Sequence, residues 1–239
     1  RSRGLGDVYK RQEKGSQPSR QLLIEQAGRV IAKAGIDAVR LRDVADQVDV
    51  PFAEAQEYFA SDAELVEATT ETLNAALLSV VDMHFKRLPE NATAVDRLRS
   101  ASMSYFSFAV EDPTSFAAFT AVQASPREDL TAEVFASEGG RADTCPILEL
   151  LYDLTDDAVK EAGGSSDAHG TMLFALAIFS HLHGVTQLAA EGILRYLSPA
   201  AKKQTFSGVM DTFSVGLYPF LRGERLERTA PFGLSLIHI

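Results

Sequence analysis

The chain has 239 residues, 46% of them apolar and 23% charged, and a formal net charge of −10. That length suits a small domain joined to a larger one, or a single helical body, and the acidic balance argues against general attraction to nucleic acid or to an anionic membrane. The lone Cys145 excludes an internal disulfide and fits a reducing cytoplasm.

The two ends are set apart first. Asp7–Gln12 (DVYKRQ) and Leu234–Ile239 (LSLIHI) can be encoded by reverse-complementary sequences that resemble a transposon-based sequencing adapter read on both strands, and the preceding SRGLG continues it. Residues 1–12 and 234–239 are therefore expected to be translated adapter, around a gene fragment open at both ends. Without them the formal charge falls from −10 to −13, through loss of Arg1, Arg3, Lys10 and Arg11 against Asp7.

Along the rest, apolar residues recur with helical spacing, and alternating strand patterns bounded by hairpin turns are missing. This predicts an all-α protein. A first helix over Ser19–Ala34 buries Leu23, Ala27, Val30, Ile31 and Ala34 and stops at Gly35. Short helices follow over Leu41–Val48 and Phe52–Phe59. Ser61 and Glu64 form a capping-box pattern that starts a long helix reaching Arg87. Asp112-Pro113, Ser125-Pro126 and Ser198-Pro199 each put a capping side chain before a proline suited to a first helical position. With the glycine pairs Gly139-Gly140 and Gly163-Gly164 as stops, helices are expected near 92–111, 113–122, 126–137, 146–162, 168–191 and 199–221. Met172–Phe179 is the longest useful apolar run and is too short to span a bilayer, so no membrane partner is expected.

The stretches LLIEQAGRVIAKAG, VRLRDVADQVDV and EYFASDAELVEA together resemble the N-terminal domain of TetR-family transcriptional regulators, mostly at core positions such as Ala27, Gly35, Val44, Ala45, Val50, Tyr58, Phe59 and Leu65. A weaker likeness lies in Phe179–Gly184 (FSHLHG), similar to the "WHG" signature of one group of TetR C-terminal domains. The resemblance implies an N-terminal three-helix helix-turn-helix domain over 13–65. It also implies a C-terminal helical ligand-binding and dimerisation bundle over 66–222, a tail over 223–233, and a homodimer joined by a four-helix interface.

Carried onto this chain, the DNA-facing positions are Arg40 and Arg42 at the start of the second helix, and Phe52, Ala53, Glu54, Gln56, Glu57 and Tyr58 on the third. The turn that usually reads Gly-Val-Ser is Asp49-Val50-Pro51, and the third helix has no Lys or Arg. Residues 13–60 hold six cations against eight carboxylates. Because DNA affinity comes largely from cations that neutralise phosphates, binding would depend on Arg40 and Arg42 holding phosphates. Gln56 would then read adenine, and Glu54 or Glu57 would accept from cytosine.

On the ligand side, Tyr105, Phe106, Phe116, Phe119, Met172, Phe179 and His183 could line an apolar pocket between bundle helices, although apolar residues at helical spacing also have a packing explanation. His181 and His183 point about 200° apart on a helix and cannot chelate one ion together, so one is placed toward a pocket and the other toward a dimer seam. Glu-x-x-His pairs, Gly-rich phosphate loops and nucleophile elbows do not occur, and only Arg141 stands near Cys145 as a base. The expectation is a non-enzymatic, cofactor-free, cytoplasmic, ligand-responsive repressor that binds double-stranded DNA as a homodimer and takes an apolar small-molecule effector. The other reading is a module of the same fold that binds small molecules or proteins and has lost DNA recognition.

Overall fold

The computed structural model describes residues 6–124, 145–165 and 168–221. Among them are nine α-helices and no strand: α1 (Gly6–Ala34), α2 (Leu41–Gln47), α3 (Phe52–Tyr58), α4 (Asp62–Phe85), α5 (Ala94–Glu111), α6 (Pro113–Gln123), α7 (Pro146–Glu161), α8 (Ala168–Ala190) and α9 (Pro199–Leu221). The all-α expectation holds, and most predicted ends fall within two residues of the observed ones. The helix expected over 126–137 lies outside the described residues. The large departure is the start of α1, at Gly6 rather than Ser19. Lys10–Lys14 ahead of Ser19 are all good helix formers, and extending an existing helix gains a hydrogen bond for each residue fixed, against the helix-breaking tendency of Gly15 and Pro18.

Side chains and glycines set the helix ends. Ser61 Oγ accepts from the Glu64 amide, but the Glu64 carboxylate accepts from the Ala60 amide at 2.6 Å. The predicted box is thus shifted by one residue at its return bond. The complete capping box belongs to Thr93 and Asp96 at the start of α5. There the hydrogen bond from the Thr93 hydroxyl, with a second from its amide, holds the Asp96 carboxyl below its ordinary pKa. Asp112 closes α5 and caps α6 through the Ser115 amide. Ser198 likewise accepts from the Ala201 amide at the head of α9. At the end of α7, Gly163 takes φ +74 while Gly164 N donates to Val159 O and Gly163 N to Lys160 O, the paired bonds of a Schellman stop. Gly35 has φ 81 and ψ 172, a backbone region essentially reserved for glycine.

Helix α1 buries Leu23, Ile24, Ala27 and Ile31, whereas Ala34, predicted as core, is exposed where the chain turns away at Gly35. Helix α4 buries Leu65, Ala68, Thr69, Leu73, Leu77 and Val81, one stripe at three- and four-residue spacing. Helix α8 contains a 21-residue segment, Gly170–Ala190, long and apolar enough to cross a membrane, with a mean hydropathy of 1.4 in its most apolar window. It packs against α5, α7 and α9 and buries Thr171, Ala175, Ile178, Leu182, Val185 and Ala189, with 33% of that window buried.

Between α2 and α3 the chain reverses through Asp49, which has φ 55. A left-handed residue without glycine costs about 1–2 kcal/mol in general, less for Asp, whose side chain can bond locally. Asp49→Val is therefore expected to lower unfolding free energy by roughly 1–2 kcal/mol, and Asp49→Gly to leave it unchanged or raise it by up to about 1 kcal/mol. Urea midpoints would measure both, and a stabilised Asp49→Val protein would contradict the strained turn.

Candidate functional site

Two features stand out, and α1 touches both. The first is the pair α2–α3. Leu41, Val44 and Ala45 of α2 and Ala55 of α3 are buried, which fixes the two short helices on the core. The α2 amino end is satisfied from outside, because Leu41 N donates to Asp62 Oδ1 at 2.7 Å. On α3, Ala53, Gln56 and Glu57 are exposed, and their spacing places them on one face. Glu54 and Tyr58 are half-buried beside it and linked by a long 3.5 Å hydrogen bond. Phe52 is half-buried under the Arg42 guanidinium, whose carbon sits 4.0 Å from the ring centroid. Arg40 donates to Asp37 O and Val39 O and lies 3.9 Å from Asp62. Asp43, Asp46 and Asp49 are exposed around them.

The second feature is an aromatic cage between α5, α6 and α8. Tyr105 is fully buried. Its ring meets Phe116, Phe119 and Phe179 edge-on at centroid distances of 5.5, 6.2 and 5.9 Å. Its hydroxyl is 2.8 Å from His183 Nδ1, and His183 in turn stacks on Phe179 at 5.6 Å. Burial pushes the Tyr105 pKa well up, with the Cys145 thiol adding to the effect. The same loss of hydration holds His183 below its ordinary value of 6.5. Beside the cage is a cavity of about 480 Å³, lined by Tyr105, Phe119, Phe179 and His183 together with Ala32 of α1, Gln123 and small residues of α6, and Glu191.

Sequence reasoning therefore finds four of the cavity's walls and misses its floor. Ala117, Thr120, Ala121 and Ala124 make room on α6 by being small, and their three- and four-residue spacing was the available signal. Phe106 belongs elsewhere: it follows Tyr105 by one residue, turns about 100° away, and stacks on Phe206 of α9 at 4.3 Å. Met172 is half-buried near the start of α8, two helical turns before Phe179. His181 is exposed, with its ring 4.2 Å from Phe213 of α9, so the two histidines do face different ways. Among the described residues no group of three or more His, Cys, Asp or Glu side chains is placed to hold a metal ion.

No protein-family model matches the sequence, and no curated protein matches it. Solved structures do. A Rhodococcus protein of unknown function aligns with 22% identity and a TM-score of 0.59, over 83% of this chain and 94% of its own. A protein from Pseudomonas aeruginosa described as a transcriptional regulator aligns with 18% identity and a TM-score of 0.58, over 85% and 93%. A TetR-family regulator from a Shewanella species aligns with 14% identity and a TM-score of 0.59, over 81% and 97%. The chain shares the all-α fold of these structures, the fold of the TetR-family protein among them.

The lowered pKa of His183 has a consequence for stability. A depressed histidine pKa means that the unfolded chain takes up its proton first as pH falls. The stability linked to His183 is complete above pH 6.5 and is lost as pH drops through the folded-state value. Thermal midpoints between pH 7.5 and 5 should fall less steeply in His183→Gln than in the parent chain. Parallel curves would mean that His183 titrates as it does in the unfolded chain.

Proposed function

We propose that this chain is a cytoplasmic, ligand-responsive transcriptional repressor that binds operator DNA as a homodimer and releases it when an apolar small molecule occupies the cage. The observation that carries the reading is the reading head: Ala53, Gln56 and Glu57 share the outward face of α3, with Arg40 and Arg42 at the start of α2 beside it. Arg40 and Arg42 are the phosphate contacts in this reading, and Gln56 is the base reader. A homodimer is supported by exposed apolar side chains on the last two helices, Leu173 and Leu188 on α8 and Val209 and Val215 on α9. Its two heads would have to reach half-sites about 34–36 Å apart. The cavity supports the effector role, because Ala32 places one wall on α1, which also packs against α2 and α3.

The charge of α3 favours a second reading, a ligand- or protein-binding module of the same fold without DNA recognition. Fluorescence anisotropy on a pool of genomic fragments, at low and then physiological salt, separates the two. Sequence-selective retention at the higher salt supports the repressor, and loss of all binding at low salt by a folded dimer supports the module.

The orientation of α3 also ranks its carboxylates. Glu57 faces outward, and Glu54 is half-buried beside Tyr58. Glu57→Gln should tighten non-specific DNA binding by roughly threefold to tenfold at low salt, and Glu54→Gln by less, through loss of like-charge repulsion with phosphate. If neither substitution moves affinity across a salt series, α3 does not approach DNA.

A further inference from the structure

We infer that the cage selects its occupant by a hydrogen-bond acceptor: the ligand class is a neutral, planar aromatic molecule carrying a carbonyl or similar oxygen, bound by His183 Nε2–H. This rests on the effector reading above and adds the chemistry of the effector. The argument begins with the Tyr105 hydroxyl. Its ring is fully buried, Phe116, Phe119 and Phe179 surround it, and its oxygen is 2.8 Å from His183 Nδ1. A buried hydroxyl must place its proton on an acceptor. The surrounding rings offer none, and the nearby Cys145 sulfur is a weak one. The imidazole Nδ1 is a good acceptor, so Tyr105 donates to it, and the proton of the neutral ring then sits on Nε2.

His183 also lines the cavity, and among the described residues no protein group bonds its Nε2. An N–H donor therefore stands beside the rings of Tyr105, Phe119 and Phe179, while the polar side chains of Thr120 and Gln123 line the α6 side of the cavity. Aromatic faces on α5 and α8 suit a flat ring system, and about 480 Å³ admits a bicyclic one. The charged lining group is Glu191, at the exposed end of the cavity. With no cation among the described lining residues to offset it, a ligand carboxylate is disfavoured and a neutral acceptor preferred. Tyr105 acts here as a positioning residue, since it sets the tautomer that His183 presents.

Three naphthalene probes of similar shape test the inference: 2-acetylnaphthalene, 2-isopropylnaphthalene and 2-naphthoate. The chain has no tryptophan, so probe fluorescence can be followed directly. The whole chain should bind the acetyl probe about tenfold more tightly than the isopropyl probe, and the naphthoate more weakly than the acetyl probe. His183→Leu should abolish the acetyl preference while keeping isopropyl binding, which also reports an intact cage. Tyr105→Phe should reduce the preference. In the unsubstituted chain, nitrogen NMR of labelled histidine should show His183 protonated at Nε2 and not at Nδ1. Equal affinity for the acetyl and isopropyl probes, or a proton found on Nδ1, would overturn the acceptor inference and leave the effector reading standing. Failure of all three probes to bind the folded protein would remove the effector reading itself.

Discussion

The architecture depends on one shared helix. Leu23, Ile24, Ala27 and Ile31 of α1 are all buried, and α1 packs against α2 and α3 as well as against α4 and α6. Burying a side chain of this size contributes roughly 1.5–3 kcal/mol, so neither the small N-terminal helices nor the α4–α6 layer can shed α1 without exposing a large part of its core. The buried apolar residues accordingly form one cluster running from Leu23 to Phe206. Gln26 of α1 also bonds Gln47, the last residue of α2, at 2.6 Å. Movement of α1 is therefore movement of α2 and α3.

That constraint gives the cavity its mechanical meaning. Its walls include Tyr105 of α5, Phe179 and His183 of α8, Phe119, Gln123 and small residues of α6, and Ala32 of α1. Asp112 contributes to the shape, because it ends α5 and caps α6 at the same residue and leaves no slack in the bend between them. A molecule filling the space would bear on α6 and α1 together, and close-packed interiors pass such displacements on instead of absorbing them. The helix that orients α2 and α3 thus contributes one residue, Ala32, to the lining of the cavity.

Much of this was legible in the sequence, and the limits have physical causes. Pro113, Pro199, Asp112, Ser198, Gly35 and Gly163 mark helix ends correctly because capping and positive φ are local properties, decided within a few residues. The core of the small N-terminal helices is legible for the same reason, since 3.6-residue periodicity directly states which face is buried. The capping return of Glu64 and the early start of α1 depend on geometry beyond a four-residue pattern. Among the candidate ligand residues, Tyr105, Phe119, Phe179 and His183 converge and Phe106 departs, because helix azimuth separates neighbours that composition treats alike. The floor of the cavity carries little sequence signal because it consists of what is missing, the side-chain volume absent from Ala117, Ala121 and Ala124. Asp49 is the most instructive position: the turn that this segment resembles usually carries glycine there, and here an aspartate takes the left-handed backbone.

Two kinds of residue meet in this domain. Residues that place α3 are buried or conformational: Ala55 and Val50 in the core, Asp49 in the turn, and Asp62 bonding the first amide of α2. Residues that would speak to a phosphate are exposed and contribute little to folding, so their charge can change sign without cost to the fold. Here the two cations nearest the face are already engaged, Arg40 with two backbone carbonyls and Arg42 with the Phe52 ring. Such engagement holds a guanidinium in one orientation while leaving N–H groups to donate, which suits a site with few cations, since each one then loses less entropy on meeting a phosphate. The surrounding carboxylates act in the opposite direction at every phosphate they approach. Whether the head binds DNA is thus decided by the balance of a few exposed charges on a scaffold indifferent to them, which is why fold similarity and charge can point in different directions in one domain.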